Sequence, residues 1–344
     1  MGMAFTDALT DHADVRVALV DRRHSSSGHW LEAYPFVRLH QASAFYGVAS
    51  TLLGSGQLQQ RGPEEGLQER ASQSEICAYY ARMLDRMLES GKVEFFPNCE
   101  YLGDREVVSR ISGERFDVSR CRIVDARYLA PSIPAEKPPP FGVADDARVL
   151  AVNGLARLEE APSQYVVVGS GKTATDACIW LLSRGVDPDA ICWVRPRDPW
   201  MINRAVVQPD PAIFLGMVAD TMQAAENATS LEELFLRLED TGIMLRIDRT
   251  VTPTMAKTPT LAEWELESEK VQELAAGAVW AEPGEPGARV TVTEDFLSLV
   301  AQDAEAALSE QLRVRDEFLT AFAEGFTARG FDRTNVPQYL LYRN

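Results

Sequence analysis

The stretch from Gln164 to Asp198 constrains the chain more than any other. Gln164-Tyr-Val-Val-Val168 is short, apolar and β-branched, the pattern of a buried parallel strand. Gly169-Ser-Gly171 follows at once, and Lys172 to about Ser183 reads as a helix. Ala190 to Val194 is a second apolar strand. Strand, glycine turn, helix and strand in this order predict a βαβ unit with parallel strands. In such a unit Gly169 permits the tight turn and Gly171 lets the backbone approach a pyrophosphate. The third position is Ala174, small enough for close helix–strand packing. The anion would sit at the helix N-terminus, among the N–H groups of Gly169, Ser170, Gly171, Lys172 and Thr173.

This is a dinucleotide-binding unit of the Rossmann type, and its second strand bears on which dinucleotide. That strand runs into Arg195-Pro-Arg197, where an NAD site usually carries an acid for the ribose 2′-hydroxyl. A guanidinium there can instead pair with a 2′-phosphate, so Arg195 and Arg197 point to NADP. A phosphate-binding P-loop is excluded, because it needs a glycine five residues before the Gly-Lys and position 166 is Val.

The chain repeats this pattern. Gly2-Met-Ala-Phe-Thr-Asp-Ala8 matches Gly171-Lys-Thr-Ala-Thr-Asp-Ala177 at Gly, Thr, Asp and Ala. Both segments open a helix that leads into an apolar strand, Val15 to Val20 in the first case. Asp21 ends that strand at the place of a ribose-binding acid, and Gly2 takes the place of a third glycine. The expected fold is therefore α/β, with two Rossmann-like βαβ units, the first without its first strand. A mainly helical C-terminal appendage follows, with a short strand at Tyr339 to Tyr342. Boundaries are expected near 140, after Pro138-Pro-Pro140, and near 281, before Glu282-Pro-Gly-Glu-Pro-Gly287. The domains are then 1–140, 141–281 and 282–344. Between the units the pattern predicts a helix over Ser74 to Ser90, capped by Ser74, and a strand at Val93 to Phe96. A hairpin is expected from Glu106 to Val118, and a strand at Arg122 to Ala126. Apolar residues from Phe296, Leu297 and Val300 through Leu308, Leu312, Phe318, Leu319 and Phe322 predict a helical packing face.

The formal net charge of −17 argues against a nucleic-acid partner. No apolar run would span a bilayer, and the first residues do not form a signal peptide, so a cytoplasmic location and a small-molecule substrate are expected. Cys77, Cys99, Cys121, Cys178 and Cys192 are too far apart for a redox pair or a tight zinc site, and all four histidines precede residue 41. No metal site is expected.

Ser27-Gly-His-Trp30, Arg38-Leu-His-Gln41, Tyr128-Leu-Ala-Pro-Ser-Ile-Pro134 and Val168 to Asp176 together resemble the two-dinucleotide flavoproteins, FAD/NAD(P)-dependent oxidoreductases similar to flavin-containing monooxygenases. The resemblance covers roughly residues 1–265. It implies FAD on the first unit, with Gly2, Asp21, Gly28, Trp30, Arg38 and Gln41 around it, and NADPH on the second. The implied activity is a flavin- and NAD(P)H-dependent, monooxygenase-like oxidation of a small molecule. The rival, from a different class, is a non-catalytic NADP-binding remnant. Because the given sequence starts inside the first glycine motif, weak flavin retention is also expected.

Overall fold

The computed structural model describes residues 1–127, 139, 142–145, 147–195, 197–267, 269–277, 279–280, 287–291, 293, 299, 302–332 and 338–343. The sequence motifs at Tyr128–Pro134, Pro138-Pro-Pro140 and Glu282–Gly287 fall wholly or mostly outside these residues, as do Phe296, Leu297 and Val300. The described elements form an α/β arrangement in two compact units. One comprises Met1–Pro138 with Arg148–Trp280, the other Pro139–Ala147 with Ala281–Asn344.

In the first unit α1 (Gly2–His12) leads into β1 (Val17–Val20). β1 pairs in parallel with β2 (Val93–Phe96), from Val17 opposite Val93 to Val20 opposite Phe96. Between them lies α2 (Gln73–Glu89). Its cap is Ser72 rather than Ser74: the Ser72 N–H donates to the Glu75 carboxylate at 2.7 Å, one arm of a capping box. Ile76, Tyr79, Met83 and Met87 recur at helical spacing and pack with Leu39, Val48, Leu53 and Val93 into one core. β3 (Cys99–Gly103), β4 (Glu106–Ser109) and β5 (Arg115–Asp117) form an antiparallel meander. The expected hairpin is its β4–β5 half, whereas residues 122–126 form no strand, and Ile123 and Val124 are exposed.

A short helix α3 (Val152–Leu155) precedes β6 (Tyr165–Val168), α4 (Lys172–Ser183) and β7 (Ile191–Arg195). β6 and β7 pair in parallel, and β11 (Val279–Trp280) extends the sheet on the far side of β7. A second small sheet holds β8 (Pro199–Asn203), β9 (Met244–Leu245) and β10 (Met255–Leu261) in the order β10-β8-β9. The helices α5 (Pro211–Asn227) and α6 (Leu231–Asp240) are inserted between β8 and β9. α7 (Trp264–Glu267) and α8 (Glu269–Ala276) follow β10. Cys178 and Leu181 of α4 meet Ile191, Trp193, Met201, Leu261 and Leu274 in a buried cluster. Full burial of a leucine or isoleucine there contributes ~1.5–3 kcal/mol.

Packing does not follow a division at residue 140. Tyr34 bonds Asp176, His40 bonds Thr260 and Arg70 pairs with Glu265, so both halves share one compact unit. The second unit contains more strand than its sequence suggests. α9 (Ala304–Ala323) packs on an antiparallel sheet of β12 (Ala288–Thr291), β14 (Gln338–Arg343) and β13 (Phe326–Asp332), in that order. Of the expected packing stripe, Phe318 joins the core of Val290, Ala321, Phe326 and Leu341. Leu308, Leu312, Leu319 and Phe322 are exposed.

Candidate functional site

The turn between β6 and α4 is built for a close-approaching ligand. Gly169 has φ +130°, a conformation open to glycine and costly for other residues. Its N–H donates to Val194 O at 2.9 Å, and its carbonyl accepts from Trp193 Nε1 at 2.7 Å, which ties the turn to β7. Ser170 is buried, and its hydroxyl donates to the Arg197 carbonyl. Gly171 is the N-cap of α4. It has no side chain to satisfy the first helical N–H groups, so the positive end of the dipole is left uncapped. A Cβ on Gly171 would lie 3.1 Å from Lys257 Nζ, which places the ammonium of β10 directly over the turn. Burial, then the nearby Arg197 guanidinium, lowers the Lys257 pKa. Two cations thus converge on one helix N-terminus, and among the described residues Lys257 has no ion pair. The sequence gives Lys257 no signal beyond its type, because only the β10–β8 pairing brings it to the turn.

Two other expected ligand groups are placed elsewhere. Arg195 is fully buried. Its Nη1 donates to both Asp198 carboxylate oxygens at 2.9 Å, and its Nη2 donates to Ala275 O at 2.8 Å and Asp248 Oδ2 at 3.2 Å. The guanidinium also lies over the Trp193 ring. The 2′-phosphate fork expected at Arg195 is therefore corrected: this side chain braces the sheet, and only Arg197 is exposed at the strand end. Lys172 likewise turns inward, bonding Asp176 and, at 3.1 Å, Glu265. Only its backbone remains at the turn. Thr173 is exposed beside it.

Along α4, the inward side chains of Lys172 and Asp176 enter a buried polar network. Tyr34 Oη donates to Asp176 Oδ2 at 2.7 Å, and burial raises the Asp176 pKa. Arg70 pairs with Glu64 and reaches Glu265 at 3.5 Å, and Arg204 reaches Glu64 at 3.3 Å. Burial opposes charge on Glu64, but Arg70, Arg204 and bonds from Gln59 and Trp264 hold its carboxyl below the usual range. Arg204 is itself pushed down to about 10, chiefly by burial. His40 sits at the edge, its Nδ1 accepting from the Thr260 N–H at 3.2 Å. Burial, then Lys172 and Arg70, lower its pKa to about 4. Of these groups, Glu64, Arg70, Lys172, Asp176 and Glu265 line a cavity of about 330 Å³.

The candidates of the first unit are less convergent. A Cβ on Gly2 would meet Ala126 and Leu19 at 3.5 and 3.9 Å, ordinary contact distances, so Gly2 faces apolar side chains and no cation. Asp21 Oδ1 accepts the Arg23 N–H at 2.9 Å, closing its own turn. Ser27 takes φ +90° and Gly28 φ +56°, with nothing within 4 Å of a Cβ on Gly28. The Trp30 ring packs on the α2 core, and its carbonyl accepts from Gln73. Gln41 accepts weakly from Tyr46 Oη at 3.4 Å. Arg38 donates to Arg70 O at 3.0 Å and stands at the rim of the cavity, which joins it to α4 rather than to β1.

Among the described residues no cluster of three metal-ligating side chains occurs, and no helix is long and apolar enough to cross a membrane. No family model matches the sequence. Over 271 residues, 78% of this chain, it is 44% identical to uncharacterized proteins of Mycobacterium bovis and of two Mycobacterium tuberculosis strains. The chain spans 50% of the length of these curated relatives. Among solved structures, a flavin-containing monooxygenase from Stenotrophomonas maltophilia overlaps 83% of this chain and 76% of its own, at 14% identity and a TM-score of 0.40. A doubly substituted variant of a flavin monooxygenase from that organism overlaps 56% and 54%, at 14% identity and 0.38. Overlap this loose carries no argument about chemistry, and what this chain does must be argued from its own turn and cavity.

Proposed function

We propose that the β6–α4 turn binds the pyrophosphate of NADP(H), within a flavin- and NAD(P)H-dependent oxidoreductase that acts on a small molecule. The observation that carries the nucleotide reading is the uncapped N-terminus at Gly171 with Lys257 Nζ held above it. Backbone N–H groups, a helix dipole and an ammonium together form an anion site. Gly169, Ser170 and Gly171 would shape it, and Lys172 and Thr173 would contribute backbone N–H groups. Arg197, exposed at the end of β7, would reach the 2′-phosphate. The nucleotide supplies a hydride when bound, while the residues of this chain hold and orient it.

The residues around β1 fit a flavin less well. They offer Asp21 and the open glycine at Gly28, but Gly2 faces Leu19 and Ala126, and around β1 the described residues form no phosphate cradle. No step is therefore derived through a flavin, and the flavin part of the proposal is tested by absorbance of the purified protein after desalting. The nucleotide part is tested by calorimetry: NADPH binds more tightly than NADH. Equal affinities would remove the NADP assignment.

A further inference from the structure

The cavity on the inward face of α4 shares only Lys172 with the glycine turn, its side chain facing the cavity and its backbone the turn. It is lined from α4 by Lys172, Asp176, Ile179, Trp180 and Ser183, at helical spacing, and closed by residues of the 36–70 and 264–265 segments. Its volume of about 330 Å³ lies at the small end of the range for small-molecule sites.

Charge bookkeeping across this cavity defines what it can take. Of the charges that line it, Arg70 and Lys172 are paired with Glu64, Asp176 and Glu265, and Arg204, outside the lining, adds a second partner for Glu64. Arg38 is the remaining cation. It is exposed at the rim, its Nη1 is bonded to a backbone carbonyl, and among the described residues it makes no ion pair. Glu75 lies within its electrostatic reach, but the Glu75 carboxylate is bound by Ser72. The lining balances three cations against three carboxylates, and Arg38 is the one of the six without an ion pair among the described residues. An unpaired cation favours an anionic group, and a planar guanidinium favours a carboxylate over a spherical ion. The apolar part of the lining is Phe36, Pro63, Ile179, Trp180 and Trp264. Phe36 stacks on Trp180 with ring centroids 4.6 Å apart and planes at 17°, and Trp264 is fixed by its bond to Glu64 at 3.1 Å.

We propose that this cavity binds a compact organic carboxylate with a planar apolar body, its carboxylate paired with Arg38 and its body laid against Trp180, Ile179 and Trp264. The proposal does not rest on the nucleotide reading. It makes Arg38 a substrate-type ligand rather than a flavin neighbour.

The test titrates the full chain with benzoate, and with benzamide and benzylammonium as neutral and cationic isosteres, by calorimetry and ligand-observed NMR. Benzoate binds, and both isosteres bind at least about tenfold more weakly, the loss of a charge-assisted hydrogen bond. Arg38→Gln lowers benzoate affinity by about tenfold or more. Ser183→Trp, at an exposed lining position, blocks the cavity and abolishes binding while circular dichroism is unchanged. Gly171→Val leaves benzoate binding intact, since the turn is not the site. The proposal is overturned if benzoate fails to bind at about 10 mM, a weak limit for any specific ligand. It is equally overturned if the three probes bind alike, or if Gly171→Val rather than Arg38→Gln removes binding.

Discussion

α1 and α4 begin with the same residue pattern and end up in different roles. Each starts at a glycine, buries a threonine (Thr6, Thr175) and uses its aspartate to fasten a distant loop. Asp7 accepts from the N–H and hydroxyl of Ser50, while Asp176 accepts from Tyr34. The difference lies at the N-terminal glycine. Gly2 faces Leu19 and Ala126 at distances an ordinary Cβ accepts, with no cation at the helix end. Gly171 faces Lys257 Nζ, so its missing side chain leaves an approach to a cation and to uncapped N–H groups. The repeated pattern thus specifies a helix that leads into a parallel strand, and the proposed anion site differs from its counterpart in the positive charge that another segment brings to the helix end.

The largest expected effect separates Arg195, the last residue of β7, from Arg197, two residues beyond it. Arg195→Ala leaves the buried Asp198 carboxylate unpaired and should cost about 3–5 kcal/mol of stability, read as a lowered denaturation midpoint. Arg197→Ala should leave the midpoint unchanged. It should instead narrow the NADPH-over-NADH preference by about 1.5–3 kcal/mol, the range for hydrogen bonds to a charged group. If Arg195→Ala changed nucleotide preference without unfolding the chain, the division of labour drawn here would be wrong.

Next in size is the ammonium above the turn. Lys257→Gln should weaken NADPH and NADH alike by about tenfold, because it contacts the part common to both. A change in preference between the two would place Lys257 at the 2′-phosphate instead.

A further effect, absent at neutral pH and read only in acid, concerns the network beside α4. His40 titrates near 4 when folded, below its ordinary value of 6.5, so the unfolded chain binds its proton first. Its contribution is complete above pH 6.5 and is lost as pH falls toward about 4. His40→Gln should flatten the stability profile in that window, as measured by urea denaturation. An unchanged slope would show that His40 is solvated.

Much of this was legible in the sequence, and the gaps have physical reasons. The β6–α4–β7 order could be read because apolar runs and a glycine turn are local signals. The cap of α2 was read two residues late, since Ser72 and Ser74 both fit a capping pattern. The strands β8, β10 and β13 carry mixed polar residues such as Asn203, Lys257 and Asp332, so their periodicity is weak and pairing across the sheet decides them. The role of Arg195 was misread because a strand-end arginine looks the same whether it faces solvent or a buried carboxylate. Asp198 is only three residues away, but Asp248 and Ala275 O are brought to it by the fold alone.

The most direct test compares the two glycines. NADPH is titrated calorimetrically into the unaltered chain, Gly171→Val and Gly2→Val, with circular dichroism on each. Gly171 has φ −97°, which valine adopts, and its Cβ meets only the mobile end of a lysine, so this variant should fold. The account predicts that Gly171→Val abolishes NADPH binding in a folded protein, whereas Gly2→Val costs about 1–3 kcal/mol of stability from overpacking and binds NADPH as before. NADPH binding retained within a few-fold in folded Gly171→Val would contradict the account.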